Sequence, residues 1–333
     1  MIKAPRLIIC LILAVCVAFL AISAWHMYVP LGSEPLLLKV TAGDNAASIA
    51  KKLKDNGIIR STFLFRLLAK IRGTDRRLMA GTYELEGNYS LSKTLSLFET
   101  GRFAYVTITF PEGLTLTKTL DLIAEKGLAT HDELHAASQD TALVRELTGF
   151  RVSSLEGFLY PETYKFDVNL HARKILEIMT SQFFSELHKA GIDPRQTQDF
   201  YSRLILASIV EKESAHPDER EIIAGVMQNR INIGMRLESC STVDYILEKQ
   251  GVKRKVLTHA DIAIDSPYNT YVYYGLPPGP ICNPSLLSIL SALDPADTNY
   301  LYFVADRQGR NDFSETSREH FNKIQTYRRS AWE

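Results

Sequence analysis

The feature that most constrains this chain is its first apolar run. Residues 7–33 contain no Asp, Glu, Lys or Arg, and the 19 positions of 7–25 hold a single polar side chain, Ser23. As a helix, that run is ~28 Å long, close to the thickness of one bilayer core. Lys3 and Arg6 precede it, and the first acid after it is Glu34. The positive-inside rule then predicts a cytoplasmic terminus over 1–6, a transmembrane helix over 7–27 and the rest of the chain outside the cytoplasm. A cleaved signal peptide is the alternative, but the run is long for an h-region. Trp25, His26 and Tyr28 are also not a small-residue cleavage site. A lipoprotein reading fails at bulky Val15, just before Cys16. The expectation is a single-pass protein of the inner (cytoplasmic) membrane with its bulk in the periplasm.

Of the 333 residues, 46% are hydrophobic and 23% charged, which excludes wholesale disorder and leaves room for two domains. The 38 basic side chains balance 38 acidic ones, which argues against a nucleic-acid binder. Setting aside Lys3 and Arg6 leaves 36 basic against 38 acidic side chains. No basic patch is visible along the sequence, so the expected site grips neutral hydroxyls. Cys10 and Cys16 read as apolar fillers in the span; Cys240 and Cys282 lie where a disulfide is allowed but not required. There is no Cys/His cluster with zinc spacing, and His216 with Glu219 reads as a surface pair. Neither a metal nor a cofactor is expected.

Residues 36–128 carry a weak repeat. Val40 and Thr41 lead to Gly43, then Ile49, Ala50 and Leu53 follow at helical spacing and Gly57 closes the unit. The outline returns from Phe110 through Gly113 to Gly127, and from Tyr83 through Gly87 to Gly101, always with the glycines 14 positions apart. This pattern predicts strand, turn, a helix of about ten residues and a glycine C-cap. Each copy is too small to bury its own face, so the copies should pack together. Chance glycine spacing in an α+β domain is the alternative. The modules loosely resemble LysM glycan-binding modules, a likeness that transfers no binding residue. A second domain is expected over 153–333, with helices near 171–190, 196–214 and 218–233, a strand near 300–305 and a final helix from about 315.

GxSxG, HExxH, P-loop and GxGxxG motifs are absent. What stands out is LILASIVEKES at 204–214, an apolar helix ending in Glu211 and Glu213. Two residues apart on a helix is about 200° of rotation, so the two glutamates face opposite sides. Glu213 shares its stripe with Val210, Ile209 and Leu206; Glu211 shares one with Ser208, Ala207 and Leu204. The pattern therefore predicts Glu213 on the buried side. A carboxyl in an apolar setting titrates above its usual ~4.3, toward ~6, which suits a general acid. The alternative is a pair of solvated charges at a helix end. SPYNTY at 266–271 and GLPPGPI at 275–281 form a fixed loop rich in Pro and Gly. Its Tyr268, Asn269 and Thr270 offer a stacking face and neutral hydrogen-bond partners suited to sugars; a purely structural turn is the competing reading. Glu162 and Tyr164 in LEGFLYPETY, and Thr242 in SCSTVDY, complete the candidate substrate-binding set.

Taken together, the apolar span, the LysM-like region, ASIVEKE at 207–213, NRINIGMRL at 229–237, SPYNTY and GLPPGPI resemble the YceG-like (MltG) family of endolytic murein transglycosylases. The resemblance implies an α+β protein with one N-terminal transmembrane helix, small LysM-like α/β modules and a mixed α+β catalytic domain. It implies cleavage of the MurNAc–GlcNAc β-1,4 bond in nascent glycan strands, leaving 1,6-anhydroMurNAc ends, with peptidoglycan and the membrane as partners and peptidoglycan synthases as further ones. It also implies that the second glutamate of EKE, Glu213, is the catalytic acid. Intramolecular attack needs no second carboxylate to activate water. The sequence departs from the family pattern at Cys240, where many members carry Asp, and at Asn311, where many carry a His. A hydrolysing muramidase is a rival, with Asp244 or Glu162 as its second carboxylate. A non-catalytic wall-binding scaffold is another.

Overall fold

A computed structural model describes residues 4–329 except Ser33, Ala42, Arg102 and Arg307, and omits the side chains of residues 4–10, 19, 20, 23, 26, 328 and 329. The chain forms two compact units, one of residues 1–106 with 165–169, the other of 107–164 with 170–333. The division thus falls at Val106, inside the expected 36–128 module region.

The first unit opens with α1 (Ala4–Tyr28), a helix of 25 residues. Among the described residues no helix is long and apolar enough to cross a membrane. Much of the span expected over 7–27 lies on side chains outside that description, as do Lys3, Ala42 and the Cys10 side chain, so the structure does not itself show the span. Two copies of the strand–helix module follow: β1 (Leu36–Val40) with α2 (Ala46–Asp55), and, after α3 (Thr62–Ile71), β2 (Gly81–Leu85) with α4 (Leu91–Thr100). Both strands have five residues and both helices ten. The helices start where side chains can cap them. Asn45 accepts the Ala47 and Ser48 amides, and Ser90 accepts that of Lys93. Antiparallel β1 and β2 pair Leu38 with Tyr83. Their inner faces meet Ile49, Leu53, Phe65, Leu95 and Phe98 in one core.

The third copy, β3 (Tyr105–Thr109) and α5 (Leu116–Glu125), crosses the division; β3 pairs with β4 (Thr163–Asp167) and not with β1 or β2. The second unit continues with α6 (His131–Gln139), α7 (Thr141–Thr148), α8 (Ala172–Lys189), α9 (Phe200–Glu213), α10 (Arg220–Asn232), α11 (Cys240–Lys249), α12 (His259–Ile262) and α13 (Leu286–Leu293). A hairpin of β5 (Tyr302–Ala305) and β6 (Asn311–Ser314), then α14 (Ser317–Arg329), end it. Helix α9 is its axis: every residue from 204 to 210 is buried, packed against Phe158, Phe183, Met227, Tyr245 and Ile289. A helix apolar all round is one enclosed all round.

The proline-rich loop is clamped to this core. Asn283, 2% exposed, accepts the amides of Gly157 and Leu159 on Oδ1, both at 3.1 Å. Gly157 has φ 86°, and a Cβ there would lie 2.6 Å from Pro280 Cγ, so only glycine lets LEGFLYP meet GLPPGPI this closely.

Candidate active site

Both glutamates lie in the last turn of α9, which stops at extended Ser214 before Pro217. A helix C-terminus is electrostatically poor for a carboxylate, so each needs donors from elsewhere. Glu211 has them in full. Its Oε2 accepts the Ser285 amide (2.9 Å), Ser285 Oγ (2.6 Å) and Ser288 Oγ (2.7 Å), and its Oε1 lies 3.2 Å from an Arg220 nitrogen. Both side chains of that ion pair are less than a tenth exposed. Glu211 is therefore the internal tie of the unit, a reversal of the expectation that Glu213 is the buried one. An apolar stripe marks the buried side only where the rest of the helix meets solvent, whereas residues 204–210 of α9 are buried on every face.

Glu213 is half-buried and faces the start of α11. Ser239 Oγ donates to its Oε1 at 2.5 Å, the Ser241 amide points at the same oxygen from 3.5 Å, and the two serine hydroxyls are 2.7 Å apart. An anion at a helix N-terminus is held by free amides and the helix dipole, which makes good what the end of α9 lacks. Glu238, with φ 46°, turns the chain into this position. A non-glycine residue in that region costs of order 1–3 kcal/mol. Here the turn is held by the Glu238 amide on the Thr270 carbonyl (3.1 Å) and the Ser239 amide on Thr270 Oγ1 (3.0 Å).

Glu213 opens into a pocket of about 350 Å³ with Arg230, Glu238, Cys240, Tyr271, Tyr302 and His320 among its lining residues. Arg230 donates to the Leu301 and Leu237 carbonyls (2.6 and 2.7 Å) and lies over the Tyr302 ring. Burial lowers its pKa. His320 stacks on Tyr302, and burial, then Arg230, lower its pKa; its Nδ1 is enclosed with no hydrogen-bond partner among the described residues. Cys240 Sγ lies 3.0 Å from Tyr271 Oη, and burial raises the tyrosine pKa.

The expected sugar contacts are placed differently. Asn269, Thr270 and Thr242 are 0%, 2% and 0% exposed and present almost no surface to a ligand. Asn269 ties its loop to the Ile262 and Ile264 carbonyls. Thr242 and Thr270 bond each other at 3.0 Å behind Ser239. The Tyr268 ring packs on Tyr245 and lies near the Lys249 ammonium, away from Glu213's pocket lining. From SPYNTY it is Tyr271 that reaches the pocket. Glu162, exposed and bonded to Gln182, and Tyr164, bonded to the Tyr160 carbonyl, do not line it. Nor do Asp244 and Asn311. Asn311 Nδ2 donates to Glu219 at 2.8 Å, and Glu219 is buried, so the surface reading of the His216–Glu219 pair fails at Glu219. Cys240 and Cys282 are both free thiols. Ser239, Arg230, Tyr271, Tyr302 and His320 escaped the sequence reading, although the first three lie in motifs that it singled out.

Three comparisons bear on this arrangement. An endolytic murein transglycosylase of Bacillus subtilis is 30% identical over 307 residues, covering 87% of this chain and 84% of the relative. One from Streptococcus pneumoniae is 28% identical over 324 residues, covering 86% of this chain but only 57% of the longer relative. The crystal structure of a putative YceG-like protein from Listeria monocytogenes superposes with a TM-score of 0.60 at 30% identity, covering 88% of this chain and 99% of that one. The fold is thus the mixed α+β architecture of that group. The YceG-like family profile matches residues 38–326, and the chain belongs to this family.

Proposed function

We propose that the protein is an endolytic peptidoglycan lytic transglycosylase with Glu213 as its single acid/base. The observation that carries this reading is one carboxyl, aimed from the end of a buried helix into a pocket and gripped by Ser239, in a chain whose relatives are named endolytic murein transglycosylases. Protonated Glu213 gives its proton to the glycosidic oxygen as the bond to the muramyl anomeric carbon breaks. The carboxylate then takes the proton of the muramyl 6-hydroxyl as that oxygen attacks the same carbon, closing the 1,6-anhydro ring and restoring the acid. Water is neither consumed nor released. Attack from within the same sugar draws its rate from proximity. The Tyr271 hydroxyl replaces our expected Tyr268–Thr270 contacts as the polar group facing the sugar.

A hydrolytic muramidase is the second reading, and one observation favours it: Glu238 lines the same pocket as Glu213. Mass analysis of cleaved strands tests both. Anhydro ends, lighter by one water than reducing ends, are expected; reducing ends alone would replace this reading with the hydrolytic one. Release of no fragments would leave the scaffold reading.

The same proposal places the protein at the membrane. The charge-free run of residues 7–33 and the helical 4–28 segment, with exposed Leu11, Ile12, Leu13, Val15, Val17 and Ile22, support a tether with the catalytic unit on the periplasmic side. The strand–helix modules support LysM-like glycan contact, and a membrane-proximal enzyme of this kind is suited to meet peptidoglycan synthases.

A further inference from the structure

Beyond the Glu213 pocket, the second unit holds another of about 470 Å³, along the face of α11 that carries Ser241, Asp244, Tyr245 and Glu248. Lys118, Lys212, Lys253 and Arg254 line it against Asp244 and Glu248. These cations come from three separate stretches of chain, so the absence of a basic run in the sequence misled: the fold assembles the patch. Two of the four are already engaged, Lys118 with Glu248 at 2.5 Å and Arg254 with Asp261 at 3.5 Å. Among the described residues Lys212 makes one long hydrogen bond, to the Gly113 carbonyl at 3.4 Å, and sits in the field of Asp244; Lys253 is exposed. Four cations thus face three acids, Asp244, Glu248 and the Asp261 that pairs with Arg254, which leaves one positive charge in excess, with Lys253 exposed to meet an anion.

Its position relative to the acid gives it a meaning. Ser241 belongs to both places: its amide faces Glu213 and its residue lines the second pocket. Lys212 is the residue next to Glu213 in α9. The muramyl ring whose anomeric bond breaks at Glu213 also bears, through its lactyl ether, a short peptide with free carboxylates. A stem of up to five residues spans up to ~17 Å, and the residue common to both places, Ser241, marks where it would run. We propose that this second pocket binds the carboxylates of the stem peptide on the muramyl ring being cleaved, so that the enzyme selects peptide-bearing over bare glycan. This rests on the transglycosylase reading above. Charge-assisted pairs between ammonium or guanidinium and carboxylate are among the stronger hydrogen bonds and supply the selection.

The test compares the full chain on two substrates, glycan strands carrying stem peptides and the same strands stripped of peptide by an amidase. The parent should prefer the peptide-bearing strands by about tenfold or more in kcat/KM, and the double variant K253E/R254E should reduce that ratio to about one. The preference of the parent should also shrink as salt rises, because the contacts lie at an open surface. A parent without preference, or a variant that keeps it, overturns the proposal. If neither strand is cut, the transglycosylase reading fails, and calorimetric titration with a synthetic muramyl tripeptide decides the pocket separately. Binding to the parent and at least tenfold weaker binding to K253E/R254E keep it; equal or no binding removes it. Should K253E/R254E fail to fold, K253Q/R254Q carries the same comparison.

Discussion

Replacing Glu211 with alanine should cost the protein about 3 kcal/mol of stability, whereas the same change at Glu213 should cost about 1 kcal/mol or less. The difference follows from what each carboxylate holds. Removing Glu211 strands three donors, the Ser285 amide and the Ser285 and Ser288 hydroxyls, and leaves Arg220, among the described residues, with Glu112 at 3.5 Å, itself half-exposed. Breaking a buried pair by deleting one partner costs about 3–5 kcal/mol. The residual Glu112 contact puts Arg220 at the low end. Deleting Glu213 removes one short hydrogen bond at a half-buried position and relieves a carboxylate at a helix C-terminus. For a unit of this size, 3 kcal/mol corresponds to a Tm drop of about 6–12 °C. The assay is urea unfolding followed by far-ultraviolet circular dichroism, since the two tryptophans, Trp25 and Trp332, lie at the ends of the chain. A Glu211→Ala variant within about 1 kcal/mol of the parent, or a Glu213→Ala variant that falls as far, would refute the division of labour.

Two further outcomes follow from buried groups. Glu156 is enclosed beside Tyr245 and the Leu116 amide, and burial pushes its carboxyl up from 4.5 to about 7. The fold thus penalises the charged form, so its contribution to stability is complete below about pH 4.5 and is lost as pH rises through about 7, a change of about 3 kcal/mol. Urea midpoints measured across that range should decline in the parent and flatten in Glu156→Gln; parallel curves would count against it. Cys240 is exposed at the pocket, whereas Cys282 is buried and its thiol is pushed well up by burial. A bulky maleimide should modify Cys240 and not Cys282 in the native protein and block glycan cleavage, a block that Cys240→Ser escapes; undiminished activity after complete Cys240 labelling would contradict the placement of the pocket.

The strand–helix modules were legible because glycine spacing, capping residues and hydrophobic period agree within each copy, as with Asn45, Ile49, Leu53 and Gly57. Their assignment to units was not, because β3 takes its partner β4 from more than 50 residues further along. At the site, the apolar stripe singles out Glu213 as the buried glutamate, whereas the structure buries Glu211 as the internal tie and leaves Glu213 at the pocket. Thr242, Asn269 and Thr270 have the chemistry of sugar ligands, yet their hydroxyls and amide are consumed in holding Ser239 and its loop. Nothing local in the sequence says which of several adjacent hydroxyls faces inward. Arg230, Tyr302 and His320 converge on Glu213 from α10, β5 and α14, a juxtaposition only the tertiary fold creates, as it does the four cations of the second pocket.

The central claim is that one carboxyl, Glu213, moves both protons. Its most direct test is the release of fragments from peptide-bearing glycan strands by the parent, Glu213→Gln and Glu238→Gln, each checked for an unchanged unfolding midpoint. The account predicts a loss of about a hundredfold or more for Glu213→Gln, with Glu238→Gln still producing anhydro-ended fragments. Cleavage by Glu213→Gln at a rate near that of the parent would contradict it.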